Sequence, residues 1–200
     1  MLTLYEYAPS GNCYKIRLLL HQLGIPLTRI QVDILKRESR TPEFLAKNPN
    51  GRVPLLELEP GKFLAESNAI IYYFAEGTPF FPEDRLEKAE VMSWMFFEQY
   101  SHEPYIATNR FLISYKKAGP EYADTIAKNQ KLGCAALNVM EKHLSNQDFF
   151  VGNRYTIADI ALFAYTHVAH EGDFDLSTYP KILAWIARVQ AQPLHMPITA

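Results

Sequence analysis

The chain of 200 residues contains only two cysteines, no surplus of positive charge and no long uninterrupted apolar segment. Cys13 and Cys134 are too few for a disulfide framework, which favours a reducing, cytoplasmic compartment. The formal net charge of −2 provides no basic excess for binding nucleic acid. No window approaches the roughly 18 apolar residues of a membrane helix, and no secretory signal pattern opens the sequence. We therefore expect a cytoplasmic protein without nucleic-acid or membrane partners.

The two ends of the chain differ in their periodicity. Residues 1–76 follow the order strand, helix, strand, helix, strand, strand, helix. Residues 77–85 are rich in glycine and proline and form a candidate linker. Residues 86–200 contain only helical patterns, the longest of which spans 86–117 and is interrupted by Pro104. The expected fold class is an α/β domain followed by an all-α domain.

A strong helix-start signal lies in the second half, in the stretch "YTIADI". Thr156 is a natural N-cap, and Asp159 stands three residues later, where it can bond back to the backbone N–H of the cap. Tyr155 and Ile160 occupy the two positions of a hydrophobic staple. We therefore interpret Asp159 as a folding element and not as a catalytic acid.

Three small polar side chains separate the first strand from the first helix in "YAPSGNCYKIRLLL". Cys13 could be a nucleophile, Ser10 and Asn12 could be hydrogen-bond donors to a reacting group, and Ser10 could simply cap the helix. The residues alone leave these alternatives open.

Two further positions have both a structural and a functional interpretation. Pro54 opens an apolar strand; a cis Val53–Pro54 bond would turn the backbone groups of Val53 outward, but a trans bond is much the commoner form. Glu66 and Ser67 begin the third helix, where unpaired N–H groups attract a carboxylate and Glu66 could pair with an ammonium group. The alternative is that Glu66 or Ser67 only caps the helix.

Four stretches, "SGNC", "NPNGRVPLLE", "ESNAIIYYFAE" and "YTIADIALF", together resemble the pattern of cytosolic glutathione S-transferases. The first stretch is similar to the bacterial, serine- or asparagine-containing theta- or nu-like type. The resemblance covers nearly the whole chain. It implies a thioredoxin-like glutathione-binding domain at 1–76, a linker at 77–85, and an all-helical domain at 86–200 that forms the electrophile site. It also implies a homodimer, glutathione as co-substrate and no metal.

The same resemblance implies roles for individual residues. Pro54 becomes a cis proline, and the backbone of Val53 pairs with the cysteinyl part of glutathione. Glu66 and Ser67 hold the γ-glutamyl group, and Arg52 contacts the glycyl end.

For the reacting thiol, the resemblance makes Ser10 the principal donor, Asn12 a helper and Cys13 a spectator. The second-substrate site would lie near Tyr105, Asn109 and Arg110.

Three functions fit this pattern. The first is a detoxifying transferase that conjugates the glutathione thiolate to small electrophiles. The second is a glutathione-dependent disulfide reductase or peroxidase, which the spacing of Ser10 and Asn12 favours. The third is a non-enzymatic interaction module, which has no use for a complete thiol site and is therefore the least favoured.

Overall fold

In the computed structural model, which describes residues 2–200, four short strands form one mixed sheet. The strands are β1 (Leu2–Glu6), β2 (Leu27–Gln31), β3 (Leu55–Glu59) and β4 (Lys62–Ala65). Their order in the sheet is β2-β1-β3-β4. Strand β1 pairs in parallel with β2, whereas β3 runs antiparallel to both β1 and β4. The parallel pair is joined through a helix, as parallel strands require, and the antiparallel pair β3–β4 is joined by a tight turn at Gly61 (φ 78°).

Three α-helices accompany this sheet: α1 (Gly11–Gln22), α2 (Pro42–Leu45) and α3 (Ser67–Ala75). Helix α1 is almost entirely buried, including the charged side chains Lys15 and Arg17. Buried charges need partners, and both of these side chains have them, as described below. The predicted element order and the thioredoxin-like mixed sheet are confirmed.

The last residues of the sequence pack on this α/β unit. Residues 2–78 and Pro193–Ala200 form one compact unit, and Pro79–Gln192 form a second. The Arg17 guanidinium donates to the carbonyls of Ile198 and Ala200 at 2.8 and 2.9 Å, and the Tyr14 hydroxyl donates to the carbonyl of Met196 at 2.6 Å. The sequence pattern had assigned this tail to the helical domain (86–200), because nothing local in the tail reveals a partner so far away in the chain.

The second unit is helical throughout, apart from one isolated β-bridge between Val151 and Arg154. The helical pattern over 86–117, which we expected to be interrupted at Pro104, contains two π-helical turns. Pro104 lies in the first turn of the helix that follows the first π-helical turn, where its missing N–H is tolerated. The helices are α4 (Arg85–Phe97), α5 (Glu103–Arg110), α6 (Ala123–Leu144), α7 (Ile157–Thr166) and α8 (Pro180–Gln190).

The start of α7 lies in the core of this helical unit. The capping box predicted between Thr156 and Asp159 is present, and both residues are fully buried. The Asp159 carboxylate also accepts hydrogen bonds from the backbone N–H of Phe150 (3.1 Å) and from Nε1 of Trp185 (2.9 Å). Burial raises the pKa of Asp159 to about 6, although these hydrogen bonds oppose the shift. The hydrogen bonds of Asp159 thus connect α7 to α8 and to the preceding loop, which agrees with its interpretation as a folding element.

Among the described residues, no helix has both the length and the apolar character needed to cross a membrane.

Candidate functional site

Ser10 caps the start of α1 at the point where β1 has ended. Its Oγ accepts the backbone N–H of Cys13 at 3.4 Å, and its own N–H donates to the carbonyl of Tyr7 at 2.8 Å. The cap uses only an acceptor lone pair of the hydroxyl, so the hydroxyl hydrogen remains able to donate. Capping the helix and donating to a ligand are therefore compatible roles for Ser10.

Cys13 is packed inside the first turn of α1. Its side chain is fully buried, and that burial raises the pKa of the thiol to about 12. A reactive cysteine needs a thiolate that solvent or substrate can reach. The geometry therefore supports the prediction that Cys13 is a spectator.

Asn12 connects the start of α1 to the start of α3. The Ser67 hydroxyl donates to Oδ1 of Asn12 at 3.0 Å, and Ser67 is only 5% exposed. The Lys15 ammonium lies behind them, 3.3 Å from Oγ of Ser67 and 3.2 Å from Oδ1 of Asn68. The sequence interpretation missed Lys15. A signal did exist, because Lys15 follows Asn12 by three residues and precedes Leu19 by four, which places it on the apolar face of α1.

Glu66 has a backbone conformation that is unfavourable for a residue with a side chain. Its φ of 68° and ψ of 114° lie in the left-handed half of the map, and it makes no side-chain cap on α3. Its carbonyl accepts the N–H of Ile70 at 2.9 Å, and the residue is exposed. Strain of this kind tends to occur where function requires it.

Val53 and Pro54 are joined by a cis peptide bond immediately before β3, as the family resemblance implies. Within residues 2–200, neither the N–H nor the C=O of Val53 has a hydrogen-bond partner. The preceding Arg52 is exposed, and its carbonyl accepts Nδ2 of Asn48 at 2.8 Å. Val53 thus offers an unpaired backbone donor and acceptor, as an extended peptide ligand would need.

The residues predicted for the second substrate lie on α5. Asn109 is fully buried and donates through Nδ2 to the carbonyl of Ile126 at 3.1 Å. Arg110 is 4% exposed and pairs with Glu171 at 2.9 Å. Tyr105 is half-buried. The contacts of Asn109 and Arg110 hold the helical unit together, so a role for these three residues toward a substrate stays a prediction.

In the part of the chain that the structure describes, no group of three or more His, Cys, Asp or Glu side chains is arranged to hold a metal ion.

Comparison with family models assigns both parts of the chain. Residues 1–76 match the glutathione S-transferase N-terminal domain, and residues 94–193 match the C-terminal domain. The protein therefore belongs to the glutathione S-transferase family.

The names of two curated relatives state different activities. The disulfide-bond oxidoreductase YfcG of Escherichia coli is 29% identical over 96% of this chain and 92% of its own length. The maleylacetoacetate isomerase of Rhizobium meliloti is 31% identical over 90% of this chain and 87% of its own. Similarity to these relatives therefore identifies the family of this protein but does not identify its reaction.

Solved structures agree with the fold over the whole chain. The glutathione S-transferase from Pseudomonas fluorescens [Pf-5] superposes with a TM-score of 0.97 at 52% identity and covers 100% of this chain and 99% of that one. Ure2p in complex with glutathione has a TM-score of 0.84 at 24% identity, with 96% and 90% coverage. At that identity Ure2p supports the fold alone.

Proposed function

We propose that this protein binds glutathione on its α/β unit and conjugates the glutathione thiolate to small electrophiles. The observation that carries the proposal is the 3.0 Å hydrogen bond from Ser67 to Asn12, which places the starts of α1 and α3 side by side. Glu66 and Ser67 at α3 suit the γ-glutamyl end of glutathione, and the unpaired backbone of Val53 suits its cysteinyl part. Arg52 is assigned to the glycyl end.

The proposed role of Ser10 and Asn12 is to favour the thiolate form of glutathione. A free thiol has a pKa of about 8.5, and lowering it by about two units requires roughly 2.7 kcal/mol in favour of the anion. A hydrogen bond to a charged acceptor contributes about 1.5–3 kcal/mol, and a helix N-terminus about 0.3–1 kcal/mol. Ser10 need not lose its own proton, because donating a hydrogen bond to the sulfur is enough.

In the conjugation reaction, the thiolate attacks the electrophilic carbon, a carbon–sulfur bond forms, and the leaving group departs with the bonding electron pair. We propose that the electrophile meets the helical unit near Tyr105, Asn109 and Arg110. The role is cytoplasmic detoxification, in the sense that a reactive compound becomes a water-soluble thioether.

Disulfide reduction is the second candidate, and the relationship to YfcG favours it specifically. In that reaction, the thiolate of one glutathione attacks a disulfide sulfur and releases a substrate thiolate. A second glutathione then attacks the mixed disulfide, which yields oxidised glutathione and the second substrate thiol. The same site serves, because both reactions begin from a bound thiolate.

A parallel assay tests these alternatives. Purified protein with glutathione is offered an aryl halide, an isothiocyanate, a peroxide and hydroxyethyl disulfide. We expect turnover of the aryl halide or the isothiocyanate that saturates with glutathione. Turnover of hydroxyethyl disulfide alone would establish the second candidate, and activity with none of them would overturn the enzymatic proposal.

A homodimer is part of the proposal. The first long helix of the helical unit exposes Phe96 (65%), and Tyr100 in the π-helical turn after it is 82% exposed. The two residues are four positions apart, and a contiguous exposed apolar patch marks a site of protein–protein contact. Light scattering at micromolar concentration should give the mass of two chains, and the mass of one chain would contradict the proposed homodimer.

A further inference from the structure

A buried carboxylate lies at the end of β1, four residues before Ser10. Glu6 is fully buried, and its Oε1 accepts hydrogen bonds from Nε of Arg29 and from Nε2 of Gln31, the latter at 2.9 Å. Nε of Arg17 lies 3.4 Å from the other carboxylate oxygen, Oε2. A buried charge is tolerated only when it is paired and hydrogen-bonded. Side chains from β2 and α1 therefore converge on Glu6.

Two of these three side chains also bind the backbone of Ala8. Nη2 of Arg17 donates to the carbonyl of Ala8 at 2.9 Å, and the backbone N–H of Ala8 donates to Oε1 of Gln31 at 3.2 Å. The orientation of the Gln31 amide follows from its partners, because a backbone N–H only donates and a carboxylate only accepts. Glu6 thus orients both of the side chains that bind Ala8.

Ala8 lies in the turn that leads to Ser10. The N–H of Ser10 donates to the carbonyl of Tyr7 at 2.8 Å, so Ala8 and Pro9 are the central residues of a β-turn. Proline is disfavoured at the second central position of the commonest turn type, because it displaces the preceding residue from the α region. The sequence of the turn therefore specifies its shape poorly, and the hydrogen bonds to Ala8 constrain that shape from outside.

We infer that Glu6 is a positioning residue that acts through Arg17 and Gln31 on Ala8, and so places the Ser10 hydroxyl against the glutathione sulfur. This inference rests on the proposed function, in which Ser10 donates to the thiolate, and deepens it. A hydrogen bond weakens steeply when its donor is misaligned. A turn that is free to shift would therefore stabilise the thiolate less, even if glutathione still binds.

The test measures the ultraviolet absorbance of the bound glutathione thiolate as a function of pH. Gln31→Met keeps the length of an exposed side chain and removes both the acceptor for Ala8 and the donor to Glu6. We expect the acid dissociation constant of the bound thiol to fall about tenfold, which is a rise of about one in its pKa. Glutathione affinity, measured at a pH low enough to keep the thiol protonated, should be unchanged.

A matched control separates positioning from a loss of stability. Within residues 2–200, the Arg29 side chain bonds to Glu6 and to the carbonyl of Ala200 and makes no bond to Ala8. Arg29→Gln should therefore lower the midpoint of urea denaturation and leave the pKa of the bound thiol as in the wild type. An equal rise of that pKa in Arg29→Gln and Gln31→Met would mean general loosening of the unit and would overturn the inference.

The carboxylate itself is tested by Glu6→Gln, which keeps the shape of the side chain and removes its charge. We expect the pKa of the bound thiol to rise by at least as much as in Gln31→Met, because both links to Ala8 lose their anchor. If Glu6→Gln does not fold, Gln31→Met still decides, since it breaks one of those links at an exposed position.

A double variant shows whether the effect passes through Ser10. In a Ser10→Ala background, Gln31→Met should cause no further rise in the pKa of the bound thiol. Additive rises would overturn the inference, because additivity means independent action. An unchanged pKa in Ser10→Ala alone would also overturn it, because the positioned donor would then not be Ser10.

The outcomes distinguish this inference from the proposed function. If the wild-type protein fails to bind glutathione by calorimetry, or does not ionise the bound thiol, the proposed function fails. If the wild type binds and ionises glutathione and folded Gln31→Met ionises it equally well, only the inference about Glu6 fails.

Discussion

The helix starts in the two units of this molecule differ in how their side chains cap them. At the start of α7, Thr156 and Asp159 cap each other, and every hydrogen bond described there is buried. At the start of α1, the cap is a single half-buried serine with a 3.4 Å hydrogen bond, and α3 begins with a residue that makes no side-chain cap. A helix start closed by its own side chains stabilises the fold, whereas one left open can bind an anion.

The largest expected effect is on stability, at the closed helix start. Asp159→Ala would leave the N–H groups of Thr156, Phe150 and Trp185 buried without an acceptor, and each such loss costs about 1–3 kcal/mol. We expect the free energy of unfolding to fall by at least about 3 kcal/mol, measured by urea denaturation.

Activity per folded molecule should survive Asp159→Ala at low temperature. The matched control is Asp84→Ala, which removes the exposed cap of α4 and should cost only about 1 kcal/mol. A stable but inactive Asp159→Ala would make Asp159 catalytic and remove the contrast between the two helix starts.

The buried carboxyl also predicts a pH dependence. Burial raises the pKa of Asp159 to about 6 in the folded protein, against about 4 for an unfolded aspartate. Between these values the folded state binds a proton that the unfolded chain does not, so the contribution of this group to stability increases as pH falls from 6 to 4. The difference in unfolding free energy between wild type and Asp159→Asn should change in that direction, and a constant difference would contradict the raised pKa.

The next effect is on catalysis, at the open helix start. Ser10→Ala removes the proposed donor to the thiolate and should lower turnover at neutral pH by about tenfold for each 1.4 kcal/mol of lost stabilisation. The loss should shrink as pH rises and the thiol ionises unaided, which a pH–rate profile would detect.

Cys13→Ala is the control for Ser10→Ala, because it alters the same helical turn without touching the donor. We expect it to keep wild-type turnover. An inactive Cys13→Ala beside an active Ser10→Ala would replace the proposed mechanism with thiol–disulfide exchange at the protein. If only Asn12→Ala abolished activity, disulfide reduction would become the better reading.

We expect the Ser67 hydroxyl, which donates to Asn12 in this structure, to donate to the γ-glutamyl carboxylate when glutathione binds. Ser67→Ala should then weaken glutathione binding by about 1–3 kcal/mol, the value of a lost hydrogen bond to a charged group. Isothermal calorimetry measures this directly. Unchanged affinity would remove Ser67 from the glutathione site.

The smallest expected effect is that of Glu66→Gly, which should not lower stability but should weaken glutathione binding. Glu66 is held at φ 68°, where glycine has no steric penalty. Glu66→Gly should therefore leave the unfolding free energy unchanged or raise it by up to about 1 kcal/mol, while glutathione affinity falls because the carboxylate is lost. A clear loss of stability would mean that Glu66 is not strained, and the starts of α3 and α7 would differ less than proposed.

The parts of the fold that depend on neighbouring residues could be predicted from the sequence. The element order followed from periodicity, and the capping box followed from two residues three apart. The cis bond at Pro54 did not follow from physics, which favours trans, but only from the family resemblance.

Lys15 was missed because a lysine between apolar residues usually extends to solvent, and its partners on α3 are more than 50 residues away in the chain. The two π-helical turns that divide the long helical pattern leave no clear signal in residue types.

The docking of the tail has a consequence for biosynthesis. The hydrogen bonds of Tyr14 and Arg17 join residues that are 181–183 positions apart. At about 5–20 residues per second, the ribosome adds the tail roughly 9–35 s after it has made α1. Translation of the α/β unit therefore starts before that of the helical unit and ends after it. Tyr14 and Arg17 cannot make these hydrogen bonds until the helical unit has been translated.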